Sequence, residues 1–136
     1  MKIIIKIILL LLSIQLSFAQ TGNIHESVKL AFEGVWQYKS KFQSNRIKIQ
    51  FEPGKDYALF TDIGTGIAPS KTFHVHLKGN QLVLPAVRNQ NDSIEMEIIK
   101  GKLFLRTIPV EWDAHGKLIK ADTTRQEHRI FRRMKN

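Results

Sequence analysis

The chain has no cysteine among its 136 residues. This excludes a disulfide scaffold, a thiolate zinc centre, a cysteine nucleophile and a lipid-modified amino-terminal cysteine. Four prolines and eight glycines are too few for a collagen-like or low-complexity chain. Acidic side chains are also scarce, 12 Asp and Glu against 21 Lys and Arg, giving a net charge of +9. Such an excess favours acidic partners and solubility and says nothing about fold. No Gly-x-Ser-x-Gly elbow is present, and Thr65–Thr72 only imitates a phosphate loop. Thr65 and Ser70 stand where that motif needs glycine, and Pro69 removes an amide donor. The expectation is a chain that is not an enzyme and has no cofactor. Its 43% apolar content suffices for one modest core and hence one domain.

Long hydrophobic runs are missing as well. The apolar stretch Ile3–Leu12 follows Lys2 and is broken by Lys6, so its uninterrupted part is only Ile7–Leu12. A spanning helix needs roughly 20 residues. Ser13–Ala19 is more polar and offers the small residues Ser17 and Ala19 at the positions a signal peptidase reads. The pattern predicts a signal peptide over residues 1–19, a mature domain over residues 20–136 beginning at Gln20, and an exported protein, periplasmic or secreted. No membrane span is expected after its removal.

Asn23-Ile24-His25-Glu26 has the spacing of a capping box, and Ile24, Val28, Ala31 and Phe32 recur at helical period before Gly34. A helix of about two to three turns is predicted. The period then changes to two. Ile47, Ile49 and Phe51 alternate with Lys48, Gln50 and Glu52; Phe73, Val75 and Leu77 alternate with His74, His76 and Lys78; Ile94, Met96 and Ile98 alternate with Ser93, Glu95 and Glu97. Turn signals such as Pro53-Gly54, Gly79-Asn80 and Lys100-Gly101 separate the runs. Parallel strands would need crossovers of about a dozen residues, which these spacings do not allow. The expected fold is therefore all-β, an antiparallel up-and-down meander of eight or nine strands. Closure into a barrel would remove its exposed edges, with the short helix covering one end. A two-sheet sandwich of the same strands is the alternative.

Gly34-Val35-Trp36, after a short helix and at the start of the first strand, resembles the Gly-x-Trp signature of lipocalins and related calycin barrels. It is similar in architecture over residues 23–136 to the small lipocalin-like domains of secreted bacterial proteins. The resemblance implies that Trp36 sits at the closed barrel end beneath the helix, with an arginine of the last strand across its indole. If Phe131 points inward, the period of two gives its face to Arg129 and Arg133. Gly34, Trp36, Arg129 and Arg133 are thus the expected packing group at that end. The chain lacks the carboxy-terminal helix of long lipocalins.

Inward positions Tyr38, Phe51, Phe73, Val75, Met96 and Leu105 are the candidates for contacting a small apolar or amphipathic ligand. Trp36, Tyr38, Phe51, Phe73, Met96 and Phe131 are also bulky enough to fill much of an eight-stranded barrel, whose interior is only about wide enough for side chains or one small ligand. The chain is then a ligand binder or a filled structural or interaction module. His74 and His76 share one strand face and could offer two metal ligands, too few for a site without a third. Arg125, Arg129, Arg132, Arg133 and Lys135 against Glu127 form a basic tail suited to acidic glycan or lipid headgroups. Interleaved aromatics are too few for a nucleic-acid platform, so no nucleic acid is expected. A monomer is expected.

Overall fold

The computed structural model describes residues 23–135, so residues 1–19, where a signal peptide is expected, and the expected mature start at Gln20 lie outside the described residues. Among the described residues one α-helix, α1 (Glu26–Phe32), precedes ten strands. Its N-cap is His25, whose Nδ1 accepts from the Ser27 amide at 3.2 Å, and not Asn23. The imidazole nitrogen supplies the acceptor that the expected Asn23 capping box would have provided. Val28, Ala31 and Phe32 turn toward the barrel, with Phe32 buried, while Leu30 faces solvent at 65% exposure.

The strands are β1 (Gly34–Lys39), β2 (Ser44–Phe51), β3 (Tyr57–Gly64), β4 (Lys71–Lys78), β5 (Gln81–Leu84), β6 (Ser93–Ile99), β7 (Lys102–Ile108), β8 (Val110–Trp112), β9 (Leu118–Ala121) and β10 (Glu127–Arg133). Strands β1 to β7 pair in sequence, β10 pairs with β7, and β1 pairs with β10, closing an eight-stranded antiparallel barrel. Alternation dictates the result, because each strand turns its apolar half inward. Ile47, Ile49, Ala58, Phe60, Val75, Leu82, Leu84, Met96, Leu103, Leu105 and Phe131 form one buried cluster with Trp36. Phe51, Phe73, Leu77, Ile94 and Ile98 pack on it and remain partly exposed.

The two barrel ends differ. The turns 52–56, 79–80 and 100–101 lie at the α1 end. Lys100 and Gly101 both have positive φ there, 49° and 73°, as a tight hairpin matched to strand twist requires. The opposite end carries the longer connections 40–43, 65–70 and 85–92. It also carries an excursion between β7 and β10. There β8 and β9 pair only with each other and stand outside the barrel, so the single meander expected of the strands holds for eight of the ten. Their three- and four-residue lengths and wholly exposed β9 leave no apolar face to insert into the ring.

A 3-10 turn at Thr123–Arg125 leads back to the barrel. Asp122 caps it, accepting from the Thr124 amide at 3.0 Å and the Thr124 hydroxyl at 2.5 Å, and pairing with Arg125. The Thr124 hydroxyl bond, followed by the Arg125 contact, holds the Asp122 carboxyl down to about 2. A lowered folded-state pKa contributes stability above the ordinary carboxylate range that is lost as pH falls through the folded value. Carbon-13 titration of the Asp122 carboxyl should therefore give a midpoint near 2, and Thr124→Ala should move it upward. An unshifted midpoint in the parent protein would show that the cap does not form.

Candidate functional site

At the α1 end, Trp36 is fully buried and its Nε1 donates to the Phe32 carbonyl at 2.8 Å. The Arg133 guanidinium lies 4.5 Å from the indole ring centre. It also donates to the carbonyls of Ala31 at 2.7 Å, Leu30 at 3.2 Å and Glu33. Helix ends leave four carbonyls without intrahelical partners. Here Lys29 O takes the Glu33 amide at 2.8 Å, and two barrel side chains satisfy the carbonyls that follow. Gly34 makes this possible. Its φ is +136°, and an added Cβ would stand 3.3 Å from Arg133 Nη1.

Arg129, named with Arg133 as a candidate for the same packing group, is elsewhere. It lies toward the opposite end, with its guanidinium 5.8 Å from the Tyr38 ring centre and its Nη2 3.0 Å from Glu127. The two arginines share a strand face, but four residues of strand rise, roughly 13 Å, separate them.

The interior candidates divide by depth. Val75 and Met96 are fully enclosed and Leu105 nearly so, whereas Tyr38, Phe51 and Phe73 are half-buried. Phe73 lies 6.3 Å from Phe60, and Tyr38 lies 5.8 Å from Phe131. The barrel axis is thus occupied by side chains, with Tyr38, Phe131 and Arg129 stacked toward the longer-loop end. One polar atom stands out beside them. Asn45 Oδ1, on the residue paired with Tyr38, is buried with no hydrogen-bond partner.

His74 and His76 project from the outer face and pack on Tyr57, His74 stacked at 4.2 Å and His76 edge-on at 6.5 Å. No group of three His, Cys, Asp or Glu gathers to hold a metal among the described residues. None of the described helices is long and apolar enough to cross a membrane.

The basic tail separates into parts with different surroundings. Arg125 pairs with Asp122, Arg129 with Glu127, and Arg133 turns to the helix. Arg132 and Lys135 remain outside and line an open groove of about 840 Å³ together with Lys39, Lys102 and His128. Lys39 and Lys102 escaped the sequence reading because they lie far from the tail along the chain. Only the β1–β10 pairing, which no local pattern announces, brings them beside it.

The groove follows the seam where the barrel closes. β1 and β10 pair at just Trp36↔Arg133 and Gln37↔Arg132, while β1 and β2 pair from Gly34↔Ile49 to Lys39↔Ser44. Beyond Gln37 the seam parts and Tyr38 lines the opening. No family model matches this chain, no curated protein matches it and no solved structure matches it; its eight-stranded closed antiparallel barrel with a short helix at one end is consistent with a lipocalin-like fold in general.

Proposed function

We propose that this chain is an exported, non-enzymatic, monomeric lipocalin-like module whose barrel is filled by its own side chains and whose recognition is carried by its outer surface. The observation that carries this reading is the interior, where Trp36, Ile47, Ile49, Val75, Leu82, Met96, Leu103 and Phe131 each have under 2% exposure. A carrier of a small molecule needs a dry, enclosed space of its own. Export is supported by Lys2 and Lys6 around a short apolar run and by the small residues Ser17 and Ala19.

A second reading, a small amphipathic ligand in the longer-loop end, is favoured by the unpartnered Asn45 Oδ1. An unsatisfied buried acceptor is costly and suits a ligand with a donor or a bound water. The two readings separate on uptake of N-phenyl-1-naphthylamine, a fluorescent hydrophobe. The filled barrel should give no saturable fluorescence rise and should carry no retained small molecule in native mass spectrometry. Saturable uptake abolished by Leu105→Trp would establish the ligand-binding reading instead.

A further inference from the structure

We propose that the parted β1–β10 seam is a binding groove for a linear anionic polysaccharide, an inference that rests on the outer-surface reading above. Three independent features converge on it. The first is charge segregation. Lys39, Lys102, Arg132, Lys135 and His128 line the groove, and its lining contains no carboxylate. The remaining cation, Arg133, is committed to the helix carbonyls. None of Lys39, Lys102, Arg132 and Lys135 forms an ion pair among the described residues. Next to the groove, β2 adds Arg46 and Lys48 across from Gln37 and Val35. The outer face turns acidic only beyond β7, at Glu95 and Glu97 of β6, where Glu95 neutralises Arg106. A concave strip of one sign concentrates field and counter-ions.

The second feature is the length of the strip. Phe131↔Leu103 pairing sets Arg132 beside Lys102, and Gln37↔Arg132 pairing sets Lys39 two residues further along β1. Lys135 continues in the other direction. At strand rise the cations spread over roughly 15 Å, more than one phosphate or carboxylate could bridge. A polymer with repeated charges matches that spacing.

The third is the backbone. On the seam side, the Val35 carbonyl takes the Met134 amide at 2.9 Å, so by alternation the amide and carbonyl of Lys39 point the same way, and Lys39 has no paired residue on β10. Exposed strand edges present free amide and carbonyl groups, which suit the hydroxyls of a sugar chain. An anionic bilayer fits less well, since besides the half-buried Tyr38 the groove lining offers apolar contact at Ile130 and Met134 alone, at 46% and 37% exposure. A single-stranded nucleic acid would need free rings for stacking, and Tyr38 is already engaged by Arg129 and Phe131.

Heparin, a sulfated linear polysaccharide, is the probe, with the mature chain titrated calorimetrically at several salt concentrations. The parent protein should bind, and its affinity should fall steeply with salt. Lys39→Glu/Lys102→Glu should weaken binding by roughly tenfold or more and flatten the salt slope. Lys55→Glu/Lys78→Glu, an equal charge change on β3–β4 flanks away from the seam, should bind nearly as the parent does. Circular dichroism checks each fold, and Lys39→Gln/Lys102→Gln replaces the reversal if that variant unfolds. Equal losses in both reversals, no binding by the parent, or binding to phosphatidylglycerol vesicles without binding to heparin would each overturn the proposal. Dye uptake is scored separately. A chain that takes up the dye yet binds heparin through the groove overturns the filled interior and leaves the groove standing.

Discussion

Trp36→Ala should destabilise the folded chain by ~3–5 kcal/mol, the range for deleting a large aromatic from a core. The loss exceeds the transfer of one ring. The indole is fully buried, so its removal opens a cavity against Phe32, and the Phe32 carbonyl loses its 2.8 Å donor. Arg133 loses the ring on which it lies 4.5 Å away, a contact worth ~0.5–2 kcal/mol. Urea denaturation followed by far-ultraviolet circular dichroism measures the change. Trp112→Ala is the comparison, because Trp112 is only half-buried on β8 outside the barrel. Its removal should cost far less. Trp36 should also emit in the blue and resist iodide in a chain lacking Trp112. Equal costs for the two tryptophans, or quenchable Trp36 emission, would refute the clasp between helix and barrel.

Phe131→Ala is the second large loss, again ~3–5 kcal/mol. Phe131 is 1% exposed and sits on the strand that closes the ring. It pairs with Leu103 on one side, and on the other its ring lies 5.8 Å from Tyr38 across the parted seam. With backbone pairing exhausted after Gln37↔Arg132, this aromatic contact and the Arg129 guanidinium over the same Tyr38 ring hold the two strands beyond that point. Truncation should therefore add faster amide exchange along Gln37 to Lys39 to the global loss. Ile130→Ala, a neighbour at 46% exposure, should change stability by no more than ~0.5 kcal/mol. Comparable losses at 130 and 131 would mean that β10 presents its other face to the interior.

Much of the barrel is legible in the sequence because alternation is a local property. Ile47, Ile49 and Phe51 declare an inward face whatever strand lies beside them, and Lys100-Gly101 declares a turn without knowing its sheet. The helix is legible for the same reason, through Val28, Ala31 and Phe32, although His25 and not Asn23 begins it. Partnership is not local. That β10 skips β8 and β9 to reach β7 follows from which strands have a face worth burying, and β9 has none. The arginines make the same point. A period of two places Arg129 and Arg133 on one face, but only the register against β1 puts one on Trp36 and leaves the other on Tyr38. The groove is the least legible feature, assembled from Lys39, Lys102, Arg132 and Lys135 by closure of the ring.

That closure also constrains the order in which the molecule can form. From β1 to β7, each strand meets the next across a turn or short loop, so those pairings can zip up early. The β1–β10 contact joins Trp36 to Arg133, nearly the full length of the described chain, and the entropy of closing so long a loop is met by two residue pairs, the Met134 amide on the Val35 carbonyl, the Trp36–Arg133 clasp and the Tyr38 contacts with Phe131 and Arg129. The ring is therefore the last thing to assemble and the first to open. Until residue 133 has emerged during synthesis, β1 and β7 are both bare edges, and the nascent chain is an unclosed sheet open to association with its own copies.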